Sequence, residues 1–178
     1  MADHVDMIVS QWARARPDLD VWALALLGRL LRLAHLADAR LAEGIAPFGL
    51  QPGWFDLLAA LRRSGPPGEL NPTELMRTSL LSSGGMTKRL DRLADAGLVQ
   101  RRPDSSDRRG TRVRLTRRGR ALIDRALKRH IANEQDLLAP LTRAEQTQLD
   151  ALLRKLLAPL EPQPNDPASA KASSRNPP

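Results

Sequence analysis

The chain of 178 residues has no cysteine. Disulfides, cysteine-ligated zinc and thiol redox sensing are therefore excluded. Tyrosine is absent too, and three Trp and two Phe are the only aromatics, so the core has to be built mainly from Leu and Ala. No apolar run approaches the roughly 18 residues that a membrane span needs. Asp3 and Asp6 interrupt the N-terminus, which lacks the basic-then-apolar pattern of an export signal. A cytoplasmic protein without membrane contact is expected. His4, His35 and His130 stand apart with no second ligand at metal spacing, so surface or packing roles are expected and no metal. There is no phosphate loop, nucleophile elbow or paired-carboxylate signature, which argues against an enzyme and against a cofactor.

Basic charge is what the chain does have. Its net charge is +8 and its pI about 11.2. Twelve Lys or Arg and four Asp lie between Lys88 and Arg120, so this stretch alone carries a net +8. Such a concentration favours a polyanionic partner. The same stretch has readable structure. Met86, Leu90 and Leu93 recur at i, i+4 and i+7, so residues 82–97 read as a short helix with one buried face. Ser82 is placed to cap its start, and Gly97 to end it in the left-handed conformation. A strand over 98–102 follows, then turn chemistry over 103–110, then a period-two strand over 111–116 that points Val113 and Leu115 inward. Helix, strand, basic tip and strand make a winged helix suited to a DNA major groove.

The rest of the chain is helical. Val5, Ile8, Val9 and Trp12 mark an amphipathic helix over 3–15, broken by Pro17. A long helix over 18–43 is apolar around an unusually wide arc, as if covered by more than one neighbour. Pro52 opens a helix with Trp54, Phe55, Leu57, Leu58 and Leu61. Asn71-Pro72-Thr73-Glu74 starts the first helix of a helix-turn-helix pair. Thr116 caps a second long helix over 117–138, and Thr142 with Glu145 forms a capping box for a last one. These Leu-rich first and last helices suggest a homodimer interface. The expected organisation is an extra N-terminal helix (1–17), a main domain (18–158, with its winged-helix core at about 50–116) and a disordered Pro-rich tail (159–178). The fold class is mainly α with a small β wing: a winged helix-turn-helix joined to a helical dimerisation region.

The segment from Pro72 to Leu122 resembles the winged helix-turn-helix of MarR-family transcriptional regulators, most specifically in the DSSDRRG wing at 104–110 and the RLT-xx-GR junction after it. The resemblance extends over about residues 20–158. It implies double-stranded DNA as partner, with Ser82, Ser83, Thr87, Lys88 and Arg92 on the reading helix. It places Arg108 and Arg109 at the wing tip, Arg109 entering the minor groove and Asp107 bracing an arginine such as Arg101. Arg112 is assigned to phosphate, together with Arg101, Arg102 and Arg114; such contacts fix register rather than read sequence.

The chain also resembles the urate-responsive subgroup of that family. The matching features are an extra N-terminal helix with a Trp, an Asp before the helix-turn-helix and an Arg in the reading helix, here Trp12, Asp56 and Arg89, with Arg63 as a further member. This resemblance implies a repressor released by a small anionic aromatic effector, urate or a related purine. In that reading an Asp56–Arg89 pair ties the reading helix to the scaffold, and the ligand displaces it. A phenolic or lipophilic effector is the alternative, as is a non-specific winged-helix architectural or interaction module.

Overall fold

The computed structural model describes residues 2–65, 68–78, 85–104 and 110–161. The chain divides into two compact units, Met1–Gln135 and Asp136–Pro178.

In the first unit, α1 (His4–Ala15) starts from a reciprocal cap. The Asp3 carboxylate accepts from the N–H groups of Val5 and Asp6, and the Asp6 carboxylate accepts from that of Asp3. A short turn returns the chain along α2 (Trp22–Ile45), where Val5 is buried against Gly28 and Arg29 bridges Asp3 and Asp6. After a single 3-10 turn, α3 (Pro52–Arg63) runs through the middle of the unit. Its Leu57, Leu58 and Leu61 are fully buried. They meet Leu75 of α4 (Pro72–Thr78), Leu90 and Leu93 of α5 (Met86–Asp95), and Ile123 and Ala126 of α6 (Arg117–Leu138) in one core. Each such leucine contributes about 1.5–3 kcal/mol of transfer free energy.

The wing is a three-stranded antiparallel sheet of order β1-β3-β2, made of β1 (Glu69–Leu70), β2 (Val99–Pro103) and β3 (Thr111–Leu115). Val99 pairs with Leu115 at its base and Pro103 with Thr111 towards its tip. Val113 and Leu115 are buried, as their alternation requires. β1 falls on two residues just before the helix start at Asn71, where the sequence suggested no element. It pairs Glu69 with Arg114 and Leu70 with Val113, which closes the open edge of β3.

Two caps bracket the helix pair α4 and α5. Asn71 and Glu74 exchange side-chain to backbone hydrogen bonds at 2.8 Å, starting α4 as its sequence suggests. At the far end of α5, Gly97 adopts φ 66° and Leu98 N–H donates back to Leu93 C=O at 2.9 Å. That is the left-handed stop expected there. The start differs from expectation: α5 begins at Met86 with Gly85 in the N-cap position, not Ser82. Thr116 then joins three elements. Its N–H donates to Leu98 C=O, its hydroxyl donates to Gly97 C=O at 2.7 Å, and it accepts from Gly119 N–H in the first turn of α6.

In the second unit, α7 (Arg143–Leu157) has the Thr142–Glu145 capping box that the sequence announces. None of its residues is buried. The tail from 162 onward lies outside the described residues.

Candidate nucleic-acid interface and effector cavities

The burial of Met86, Leu90 and Leu93 determines what α5 presents outward. Thr87, Lys88, Asp91 and Arg92 are exposed on its other faces. Thr87, Lys88 and Arg92 are the donors among them, of the kind a reading helix offers to base edges and phosphates, and Asp91 is an acceptor. Ser82, Ser83, Asp107, Arg108 and Arg109 lie outside the described residues, so the expectations for them are carried by sequence alone.

Three of the wing arginines have carboxylate partners within the chain. Arg112 donates through Nε to Asp104 at 2.9 Å and lies 3.7 Å from Glu74, so it clamps the wing to the start of α4. Asp104 is only 8% exposed. Arg114 pairs with Glu69 of β1, and Arg101 pairs with Asp91 of the reading helix at 2.6 Å. Arg101 thus braces the reading helix to the wing; Asp107, which the resemblance sets beside it, lies outside the described residues. The sign of these residues was legible; their carboxylate partners, up to 45 positions away, were not.

The four effector candidates fall into two groups. Asp56, Arg63 and Arg89 converge. Asp56 is half-buried, and burial pushes its carboxyl above the ordinary range. The charges of His130, Arg63 and Arg89 oppose that rise and Asp38 adds to it. Arg63, one helical face along α3, donates to Thr78 C=O at the end of α4. Arg89 lies across the first turn of α3, where a Cβ on Gly53 would stand 3.1 Å from its Nε. The charge of Arg89 acts on the Asp56 carboxylate and favours its ionised form. Trp12 does not join them within one chain. α1 packs back along the N-terminal half of α2 with Val5 at Gly28, while Asp56 faces Leu41 and Ala42. Those levels of α2 are ~20 Å apart at about 1.5 Å per residue.

Two cavities flank this junction. One, of about 400 Å³, is lined by Trp54 and the first turn of α3 on one side and by Lys88, Arg89 and Arg92 of α5 on the other. Three cations and no carboxylate make it suited to an anion. The other, of about 460 Å³, is lined by Leu41, Ile45 and Phe55 with Asp38, Asp56, His130 and Glu134. It suits a hydrogen-bond donor. His130 is stacked 4.3 Å from Phe55 and reaches Glu134 at 3.3 Å, a packing role of the kind expected for it. The place of Trp54 and His130 in the cavity walls was not expected from the sequence, where Trp54 read as an ordinary apolar residue. The only signals were the i, i+4 spacing of His130 and Glu134 and the proximity of Trp54 to Pro52. Among the described residues no group of His, Asp or Glu could hold a metal, and no helix is long and apolar enough to cross a membrane.

Residues 48–110, from the end of the 3-10 turn to the wing, match the model of the MarR family. Over 153 residues the chain is 40% identical to the HTH-type transcriptional regulator PecS of Dickeya dadantii, covering 86% of this chain and 92% of that one. It is 32% identical over 136 residues to the multiple antibiotic resistance protein MarR of Escherichia coli, covering 74% and 90%. Among solved structures it resembles a point mutant of E. coli MarR complexed with operator DNA, with 29% identity, 82% and 97% coverage and a TM-score of 0.66. The chain therefore belongs to the MarR family of transcriptional regulators, in its PecS-like subgroup.

Proposed function

We propose that the protein is a homodimeric repressor released from a pseudo-palindromic operator by a small anionic aromatic ligand, urate or a related purine, that engages Arg89. One observation carries the effector: Arg89 belongs to the reading helix and also lines a cationic cavity whose far wall is Trp54. An anionic ring there stacks on the indole and draws Arg89, Lys88 and Arg92 towards itself. It also weakens the pull of Arg89 on Asp56. Both changes favour a position of α5 other than the DNA-bound one, which is the differential affinity that release requires.

The homodimer is supported by apolar surface that one chain leaves uncovered. Trp22 is 72% exposed and Leu31 70%, and Leu26, Leu27, Leu33 and Leu36 on α2 and Leu152, Leu156 and Leu157 on α7 are also exposed. Exposed apolar side chains in such number on one helix mark an association face. Trp12, on α1, is itself 43% exposed and reaches an effector only across such an interface. DNA as partner places the protein in the cytoplasm. The wing-tip arginines Arg108 and Arg109, with Ser82, Ser83, Thr87, Lys88 and Arg92, complete the proposed DNA surface.

Mobility-shift titration on a duplex selected from a random pool tests this reading. Urate should release the wild-type complex, and salicylate should do so less well. A phenolic effector is the second reading, and the other cavity favours it, because Asp56 can accept from a phenol seated against Phe55 and Ile45. Release by a neutral phenol, abolished by Asp56→Asn and indifferent to Arg89→Ser, would select that reading.

A further inference from the structure

A third cavity, of about 380 Å³, lies at the opposite end of the reading helix, beside Ala96 and Leu98. Phe48, Trp54 and Leu122 form an apolar wall, and Arg118 and Arg125 supply charge. No carboxylate lines it. Its volume lies within the usual span of small-molecule sites.

The two arginines are the unusual part. They stand seven residues apart on α6, so they share one face with Leu122 between them, ~10 Å apart along the axis. Several arginines of the wing and of α3 are taken up by carboxylates: Arg62 by Asp124, Arg101 by Asp91, Arg112 by Asp104 and Arg114 by Glu69. Among the described residues Arg118 and Arg125 form neither an ion pair nor a hydrogen bond. Nor are they positioned with the wing tip. Thr116 joins Leu98 at the base of the sheet, and the pair Pro103–Thr111 towards the tip lies five residues further along the strands, ~17 Å away. Phosphate contacts by a wing tip give these two residues no role.

We infer that this cavity binds a small hydrophobic carboxylate. Its ring or chain lies on Trp54, Phe48 and Leu122, and its carboxylate is held between Arg118 and Arg125. A neutral hydrophobe makes no use of the guanidiniums, and a bare inorganic anion makes no use of the aromatic wall. Trp54 also lines the cavity around Arg89, so one indole stands between two anion-binding spaces at either end of α5. The inference does not depend on which ligand occupies the first.

Calorimetric titration of the full chain with 1-naphthoate, and with its neutral counterpart 1-naphthylmethanol, tests it. Naphthoate should bind saturably and more tightly than the alcohol. Arg118→Gln and Arg125→Gln should each weaken naphthoate about tenfold, the loss of one charge-assisted hydrogen bond, and leave the alcohol unaffected. Both side chains are exposed, so neither substitution threatens the fold. Arg89→Ser should leave naphthoate bound. Urate in parallel separates the two readings, since its binding should fall in Arg89→Ser and persist in Arg125→Gln. Equal binding of acid and alcohol, no saturable binding of the acid, or an affinity indifferent to Arg125→Gln would each overturn the inference.

Discussion

Replacing Arg112 with Ala removes the cation shared by two carboxylates. Asp104 contacts it at 2.9 Å and has a side chain only 6% exposed, so the substitution leaves a carboxylate that water barely reaches. Breaking a buried pair from one side costs about 3–5 kcal/mol. Here the Arg112 side chain keeps 31% of its surface in water, which screens the pair and brings the expected loss down to about 2 kcal/mol. With an m-value of about 2 kcal/mol/M in urea, the unfolding midpoint should fall by about 1 M at fixed protein concentration. Asp104→Asn in the same chain should restore most of the loss, because a neutral amide does not need the cation that Arg112 supplied. Glu74→Gln should matter less, since that contact is 3.7 Å. The DNA readout is separate. A residue that serves a phosphate lowers the slope of log K against log salt by about 1 when removed. The clamp leaves that slope unchanged and lowers affinity only through a loosened wing. An unchanged midpoint in urea together with a slope reduced by about 1 would refute the clamp and return Arg112 to the phosphates.

Gly119→Ala should destabilise by about 3 kcal/mol in thermal unfolding, the upper range for overpacking. A Cβ there would stand 1.9 Å from Leu98 C=O, a backbone atom that cannot swing away. Asp56→Asn should raise the melting temperature at neutral pH, because burial holds the carboxyl above its ordinary range. A raised folded pKa means that the group's stability is fully present below the unfolded pKa and is lost as pH rises through the folded one. The gap between mutant and wild type should therefore close as pH falls below the ordinary carboxylate range, and a gap independent of pH would contradict the cause given. Light scattering at micromolar concentration should return twice the chain mass of 19.6 kDa, with a monomer contradicting the interface assigned to α2 and α7.

Periodicity and caps made much of the fold legible. The line Met86, Leu90, Leu93 and the alternation at Val113 and Leu115 mark buried faces, because the two periods are fixed by backbone geometry. Asn71 and Thr142 announce helix starts through local chemistry alone. β1 was hidden because two residues carry no period, and it exists only through its partner β3. The leucines of α2 announced an apolar helix, but nothing in their spacing tells a covered face from one left for a second copy. The candidate site divides along the same line. Arg89 could be singled out because it stands off the buried line of its helix. The separation of Trp12 from Asp56 depends on the direction in which α1 returns along α2, which no local pattern encodes. The partners of Arg101, Arg112 and Arg114 are likewise tertiary, since a charge announces what it attracts without saying which element will bring it.

The most direct test of the account is release of a protein–operator complex by urate, measured for the wild type and for Arg89→Ser at one salt concentration. Urate should dissociate the wild-type complex, and the serine variant should bind the same duplex but keep it as urate rises. Retention of the wild-type complex at millimolar urate, or equal release of both proteins, would contradict it.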